Sequence, residues 1–174
     1  KTLTKPIIAL APMANVTDAA FRRIIAKTGK PDVTWTEFVS ADGLFSAGRE
    51  KLLPDLWFTE NERPIVAQFF SAKPELMYQT ALLAQELGFD GIDINMGCPD
   101  KGVEKQGAGA ALMKNPELAK EIILETKRGA GNLPVSVKTR IGYTKNMLDT
   151  WLPHLLETEP AAITLHFRTR QEMS

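Results

Sequence analysis

Short apolar runs rich in β-branched residues alternate along the chain with segments of helical periodicity. This alternation is typical of α/β proteins built on a parallel sheet. In such proteins, whether the sheet is open and doubly wound or closed into an eight-stranded barrel, ligands bind at the carboxyl ends of the strands. The predicted strands are PIIALA (6–11), DVTWTEF (32–38), PIVAQFF (64–70), GIDIN (91–95), PVSVKT (134–139) and AAITLHF (161–167).

Three segments have the spacing and end signals of helices. The first runs from Asp18 to about Thr28. The second, residues 74–87, ends at Gly88, and one face holds Met77, Ala81, Ala84 and Leu87. The third starts with Asn115 as N-cap and Pro116 in its first turn, and its apolar stripe is Leu118, Ile122 and Ile123.

Two stretches have weaker patterns. Residues 39–63 lack a clean period, so we predict an insertion of short helical turns, with SADGLFS (40–46) contributing to a site. Residues 147–157 contain Pro153, which must lie in the first turn of a helix or kink it.

Composition and charge exclude several classes of protein. The 174 residues include 21 Lys and Arg against 21 Asp and Glu, so the chain has no overall basic field for nucleic acid. A single cysteine excludes an intrachain disulfide, and His154 and His166 lack zinc-site spacing. No apolar run approaches the roughly 20 residues of a membrane span. We therefore expect a cytoplasmic protein with no membrane and no metal.

Polar residues gather where the predicted strands end. Lys138 is either a lysine snorkelling to solvent or an ammonium held against an electron-rich ligand. Gln68 is either a satisfied structural amide or a ligand contact. Cys98 could be a buried hydrophobe, but Gly97 and Pro99 mark a turn that places its thiol at the strand rim. A Cys98 and His166 nucleophilic pair also stays open at this point.

The loop GAGAAL (107–112) lacks the third glycine and the preceding strand of a dinucleotide-binding motif. Its glycines are more consistent with close approach of the backbone to a ligand or a neighbouring chain. Basic residues in the predicted strand-end loops could meet phosphates, although Asp100 and Glu104 dilute their charge. These basic residues are Lys101, Lys105, Lys138, Arg140, Lys145, Arg168 and Arg170.

Taken together, five stretches resemble the tRNA-dihydrouridine synthases in order and spacing. They are LAPMANVTDAAFRRI, AQFFSAKPE, DGIDINMGCPDKGVEKQGAGAALMKNPELAKEI, VSVKTRIGY and LHFRTR. The resemblance implies a TIM (β/α)8 barrel that binds FMN, followed by a helical domain that grips tRNA. It also implies the reaction: NADPH or NADH reduces the flavin, a hydride passes to carbon six of a tRNA uridine, and a cysteine protonates carbon five.

The same resemblance assigns roles to individual residues. Cys98 would be the proton donor, Asn95 would lie beside the substrate base, and Arg140 would contact substrate or phosphate. The flavin contacts would be Pro12, Met13 and Ala14 through their backbone, Gln68 and Lys138 at the isoalloxazine edge, and His166 nearby. The chain departs from the family pattern at Asn15 and Phe167, each in place of a common glycine, and Phe167 puts the role of His166 in question.

A barrel of this type needs about 250 residues. Residues 1–174 are therefore expected to be a partial catalytic barrel of about six strand-helix units. The last strands, the flavin phosphate site and the tRNA-binding domain would lie outside it, leaving the piece inactive alone and the full-length protein monomeric. Two alternatives remain: an FMN barrel acting on a free pyrimidine or small enone, and a non-catalytic RNA-binding remnant.

Overall fold

A computed structural model describes residues 5–173, in which six strands form one parallel sheet. The strands pair in chain order, from β1 to β6, without the reversal that defines a doubly wound sheet. The sheet curls into an incomplete TIM barrel, which confirms the predicted fold class. The strands are β1 (Ala9–Leu10), β2 (Val33–Ser40), β3 (Ile65–Phe70), β4 (Gly91–Met96), β5 (Val135–Gly142) and β6 (Ala162–Thr169).

Helices connect the strands. They are α1 (Ala19–Thr28), α2 (Ala41–Leu44), α3 (Arg49–Leu52), α4 (Pro74–Glu86), α5 (Lys101–Lys105), α6 (Pro116–Ala130) and α7 (Leu148–Leu156). Three short 3-10 turns cover Leu53–Leu56, Glu60–Glu62 and Gly109–Lys114. The predicted insertion at 39–63 is thus confirmed as a series of short helical turns. Within residues 5–173, no helix is long and apolar enough to cross a membrane.

Helices α1 and α6 begin where their capping residues predict. The Asp18 carboxylate accepts the Phe21 N–H at 2.7 Å, and the Asn115 side chain accepts the Leu118 N–H at 3.3 Å. One detail of the pattern is wrong: Leu87 is 39% exposed, because α4 ends one residue before it and the chain turns away at Gly88. Pro153 lies inside α7.

The two faces of the sheet differ in chemistry. Alternate side chains of a strand point to opposite faces, so Ile92, Ile94 and Met96 of β4 pack outward against the helices. Asp93 and Asn95 point to the inner face instead. The main apolar core therefore lies between the sheet and its helices, and the inside of the half-barrel is left polar.

A buried ion pair attaches α1 to the turn before β3. The Arg22 Nε donates to Glu62 at 2.8 Å, and neither side chain has any exposed surface. Arg22 also donates to the carbonyls of Thr17 and Trp57, at 2.8 and 2.5 Å. Glu62 in turn accepts the Thr59 N–H at 2.7 Å. This cluster fixes α1 against the insertion.

Candidate active site

A cleft of about 530 Å³ opens at the carboxyl ends of the strands. The loop after β1 forms one wall, and the rest comes from β2, β4, β5, β6 and the loop after β4. Every residue to which the family resemblance assigned a role lines this cleft, except Ala14 and Gln68. The segment SADGLFS (40–46), which was also expected to contribute to a site, does not line it. The full lining is Ala11, Pro12, Met13, Phe38, Asn95, Gly97, Cys98, Pro99, Lys138, Arg140, Thr164, Leu165 and His166.

Gln68 is fully buried beneath the cleft. Its Nε2 donates to Asp93 at 2.6 Å, and its Oε1 accepts from the Asn95 Nδ2 at 3.1 Å. Both ends of the amide are therefore satisfied by the protein. The assigned contact between Gln68 and a flavin stays a prediction.

Cys98 lies in the loop after β4, and two anchors hold its backbone. The Asn95 Oδ1 accepts the N–H groups of Gly97 and Cys98, at 3.1 and 2.9 Å. The Cys98 carbonyl accepts the Ala110 N–H at 3.0 Å. Burial raises the pKa of the half-buried Cys98 thiol, so the thiol keeps its proton at neutral pH.

Gly109 is the glycine of GAGAAL that permits this packing. Its φ is +60°, and a Cβ there would lie 2.8 Å from both the Cys98 carbonyl oxygen and the Val103 Cγ1. A larger residue would push the Cys98 loop out of place. The structure thus shows the predicted close approach of the backbone, here to the Cys98 loop of the same chain.

Arg140 braces the same loop from β5. Its Nε donates to the Gly97 carbonyl at 2.7 Å, and its Nη1 donates to the carbonyls of Thr169 and Met173 at 3.1 and 2.8 Å. The side chain is buried, yet it borders the cleft. Arg140 therefore stabilises the loop after β4 through the Gly97 carbonyl. Its contact with substrate or phosphate stays a prediction.

Lys138 and His166 face the cleft from neighbouring strands. Within residues 5–173, the Lys138 ammonium has no hydrogen-bond or ion-pair partner; burial lowers its pKa, and the nearby Asp93 carboxylate opposes that shift. Burial, together with Arg140, lowers the pKa of His166 and favours a neutral imidazole. The cleft therefore presents a cation without a partner beside a neutral ring.

Asp93 is a buried carboxyl that the sequence reasoning missed. It lies on the inner face of β4, accepts from Gln68 at 2.6 Å, and also accepts a hydrogen bond from the Ser136 hydroxyl. Burial raises its pKa to about 6, while the bonds from Ser136 and Gln68 and the charge of Lys138 oppose the rise. The available signal was a carboxyl among the apolar residues of a predicted buried strand, GIDIN, in which Asp93 and Asn95 share one face.

This pKa predicts a pH-dependent contribution to stability. Because the folded pKa of Asp93 lies above its ordinary value of 3.8, the carboxyl favours folding in acid, and that contribution is lost as the pH rises through about 6. From about pH 4 to pH 7, we expect the stability of the wild-type full-length protein relative to Asp93→Asn to fall by up to about 3 kcal/mol. Urea unfolding at stepped pH measures it. If the unfolding free energies of the wild-type and Asp93→Asn proteins changed in parallel with pH, the raised pKa of Asp93 would be contradicted.

The two departures from the family pattern have clear structural settings. Asn15 has φ +57°, a left-handed conformation that asparagine tolerates, and its N–H donates to the Glu37 carboxylate. Phe167 is 78% exposed and does not line the cleft, since strand alternation directs it away from the face that His166 occupies.

The basic residues near the cleft are unevenly available. Arg170 forms a two-pronged ion pair with Glu104, which ties the end of β6 to α5. Lys101 and Lys105 are exposed. Among residues 5–173, no three His, Cys, Asp or Glu side chains are grouped in a way that could hold a metal ion.

Comparison with known proteins gives one family. The family model described as "Dihydrouridine synthase (Dus)" matches residues 9–174. The chain is 44% identical over 176 residues to "Probable tRNA-dihydrouridine synthase 2" of Bacillus subtilis (strain 168), covering 100% of this chain and 54% of that protein. It is 43% identical over 174 residues to "Probable tRNA-dihydrouridine synthase" of Staphylococcus aureus (strain COL), covering 99% and 52%. The chain thus spans about half the length of these curated relatives.

Proposed function

Because this chain belongs to the dihydrouridine synthase family, we propose that the full-length protein reduces uridines of tRNA to 5,6-dihydrouridine. The observation that carries the proposal is the Cys98 loop. A thiol that keeps its proton stands at the rim of the cleft, which it shares with an ammonium that has no partner within residues 5–173. Two strands and a 3-10 turn brace the thiol's loop, through Asn95 of β4, Arg140 of β5 and Ala110. A protonated thiol in this place is suited to act as a general acid.

The donor set of the cleft fits a flavin. Lys138 offers a half-buried ammonium with no partner within residues 5–173, and an electron-rich ring edge would satisfy it. Pro12, Met13 and Ala14 would contact FMN through their backbone, and His166 would lie beside it. When bound, FMN would bring hydride chemistry to carbon six of the uracil, with NADPH or NADH as the reductant.

Cys98 then gives its proton to carbon five. The Asn95 Oδ1 holds the Cys98 amide at 2.9 Å, so the thiol has a fixed position before substrate arrives. Asn95 is itself only slightly exposed and borders the cleft. There its side chain would lie beside the target uracil, once that base has turned out of its stack in the tRNA. Catalysis on this side of the uracil ring therefore depends on one placed proton.

The proposal extends to partners that the 174 residues do not show. The substrate is tRNA, and a further helical domain of the full-length protein would grip it. The setting would be the cytoplasm and the full-length protein a monomer. We favour tRNA over a free pyrimidine as the substrate, because the names of the relatives specify tRNA.

Replacing Lys138 with methionine in the full-length protein tests the flavin site. We expect the dissociation constant for FMN to rise about 10- to 100-fold, since hydrogen bonds to a charged group contribute about 1.5–3 kcal/mol. Quenching of FMN fluorescence on binding measures it. Lys105→Met is the matched control, because Lys105 is exposed in α5. Equal FMN affinities in the two variants would remove Lys138 from the flavin site.

The function itself is tested in cells. Deleting the gene for the full-length protein should remove dihydrouridine from at least one tRNA position, and the wild-type gene should restore it. Mass spectrometry of tRNA digests, mapped position by position, detects the loss. An unchanged map would contradict the proposal.

A further inference from the structure

A continuous series of side-chain hydrogen bonds crosses the inner face of three strands and ends at the Cys98 loop. It starts at Ser136 on β5, whose hydroxyl donates to Asp93 on β4. Gln68 on β3 donates to Asp93 at 2.6 Å, and Asn95 donates to Gln68 at 3.1 Å. The Asn95 Oδ1 then accepts the Cys98 N–H at 2.9 Å. We call these four side chains the inner-face relay.

The inner-face relay has a direction, and Asp93 sets it. An ionised carboxylate can only accept, so Gln68 must present its Nε2 to Asp93. The Gln68 Oε1 then faces Asn95 and can only accept, so Asn95 must donate to it through its Nδ2. The Asn95 Oδ1 is then free to accept from the loop. Each amide is fixed by the one before it.

Reversing the direction would release Cys98. If Gln68 turned over, its Nε2 would face Asn95, and Asn95 would have to turn its Oδ1 toward Gln68. The Asn95 Nδ2 would then oppose the N–H groups of Gly97 and Cys98, placing donors against donors. Unsatisfied donors in a buried site are unfavourable, so the loop would shift.

We propose that Asp93 is a positioning residue that holds the Cys98 thiol in place by fixing the direction of the inner-face relay. This inference rests on the proposed function only in taking Cys98 as the proton donor. A carboxyl is an unfavourable choice for packing at this position, because Asp93 is fully buried and a buried carboxyl is unfavourable unless hydrogen bonds satisfy it. The hydrogen bonds of the buried polar side chains Asp93, Gln68 and Asn95 form one series that ends at the Cys98 loop.

Two substitutions at position 93 separate direction from packing. Asp93→Leu keeps the branching and the number of non-hydrogen side-chain atoms of aspartate but accepts no hydrogen bond, so Gln68 loses its orientation. Asp93→Asn keeps an oxygen for Gln68 and turns its amide to the Ser136 oxygen, while the Ser136 hydroxyl turns to the Ile92 carbonyl, 3.4 Å away. The relay keeps its direction in the second variant alone.

The readout is the rate at which iodoacetamide alkylates Cys98 in the folded full-length protein, followed by mass spectrometry of the peptide that contains it. We expect Asp93→Leu to change the rate by about tenfold, equivalent to about 1.4 kcal/mol, and Asp93→Asn to stay within about twofold of wild type. A folded Asp93→Leu protein with the wild-type rate would overturn the proposal.

A charge exchange provides a second test that does not need Asp93→Leu to fold. Asn95→Asp can only accept, so Gln68 must turn its Nε2 to residue 95 and leave its oxygen facing Asp93. We expect the midpoint of thermal unfolding to drop by about 5 °C. Adding Asp93→Asn supplies a donor to Gln68 and should recover most of the loss. Additive effects of the two substitutions would overturn the directional account.

These measurements need neither flavin nor tRNA, so they fail independently of the proposed function. If Cys98 proves dispensable for dihydrouridine formation while the alkylation and exchange results hold, only the catalytic use of the loop is wrong. If the catalytic role holds while Asp93→Leu leaves alkylation unchanged, the positioning role is wrong.

Discussion

Replacing Cys98 with alanine in the full-length protein should slow dihydrouridine formation about 10²- to 10⁴-fold, the usual contribution of a placed general acid. Among residues 5–173, the other proton-bearing side chains of the cleft have different roles, and we place the Lys138 ammonium at the flavin edge. The pKa of His166 is lowered and its ring favours the neutral form, while the Arg140 guanidinium is held by three backbone carbonyls. Dihydrouridine in tRNA after single-turnover incubation measures the rate.

The variant must be shown to lose chemistry and nothing else. Cys98 holds its loop through backbone groups, the N–H to Asn95 and the carbonyl to Ala110, which alanine retains. We therefore expect FMN content and the thermal midpoint to stay close to wild type. A Cys98→Ala protein that forms dihydrouridine at the wild-type rate would remove Cys98 from its assigned role.

Replacing Glu62 with alanine should destabilise the protein by about 3–5 kcal/mol, as expected when one partner of a buried ion pair is removed. The Arg22 guanidinium would remain in a site without exposed surface, keeping only its bonds to the Thr17 and Trp57 carbonyls. Chemical denaturation of the full-length protein at neutral pH measures the loss, read from the transition that contains the barrel.

Glu60→Ala is the matched control for Glu62→Ala. Glu60 lies in the same 3-10 turn and pairs with Arg63 at 2.8 Å, but its side chain is 80% exposed. Exposed ion pairs contribute about 0.2–1 kcal/mol, so this variant should lose no more than that. Similar losses in the two variants would show that burial of the Arg22 and Glu62 pair does not govern its energetics.

The sequence predicted the architecture because hydrophobic periodicity and end signals are local. Every predicted strand exists, although β1 has only Ala9–Leu10 where 6–11 was expected. Strands β2, β4, β5 and β6 extend beyond their predicted ends. Strand order could not be read from the pattern, because a barrel and a doubly wound sheet share it. The pairing of β1 to β6 in chain order decided the matter.

The site was predictable in its location and less so in its connections. Strand ends and the family resemblance brought Cys98, Asn95 and Lys138 to one cleft, and the structure places them there. The hydrogen-bond partners of these side chains could not be predicted from the sequence, because the bond between Gln68 and Asp93 joins residues 25 positions apart on different strands. Only register, which aligns Gln68 with Asp93, makes such a pair visible.

The most direct test of the central claim is reconstitution of the reaction. Purified full-length protein loaded with FMN is incubated with NADPH and tRNA from the deletion strain, and the tRNA is digested for mass spectrometry. We predict dihydrouridine at the positions that the deletion strain lacks, with little in the Cys98→Ala reaction. Flavin-loaded wild-type protein that oxidises NADPH yet leaves every uridine of that tRNA unreduced would contradict the account.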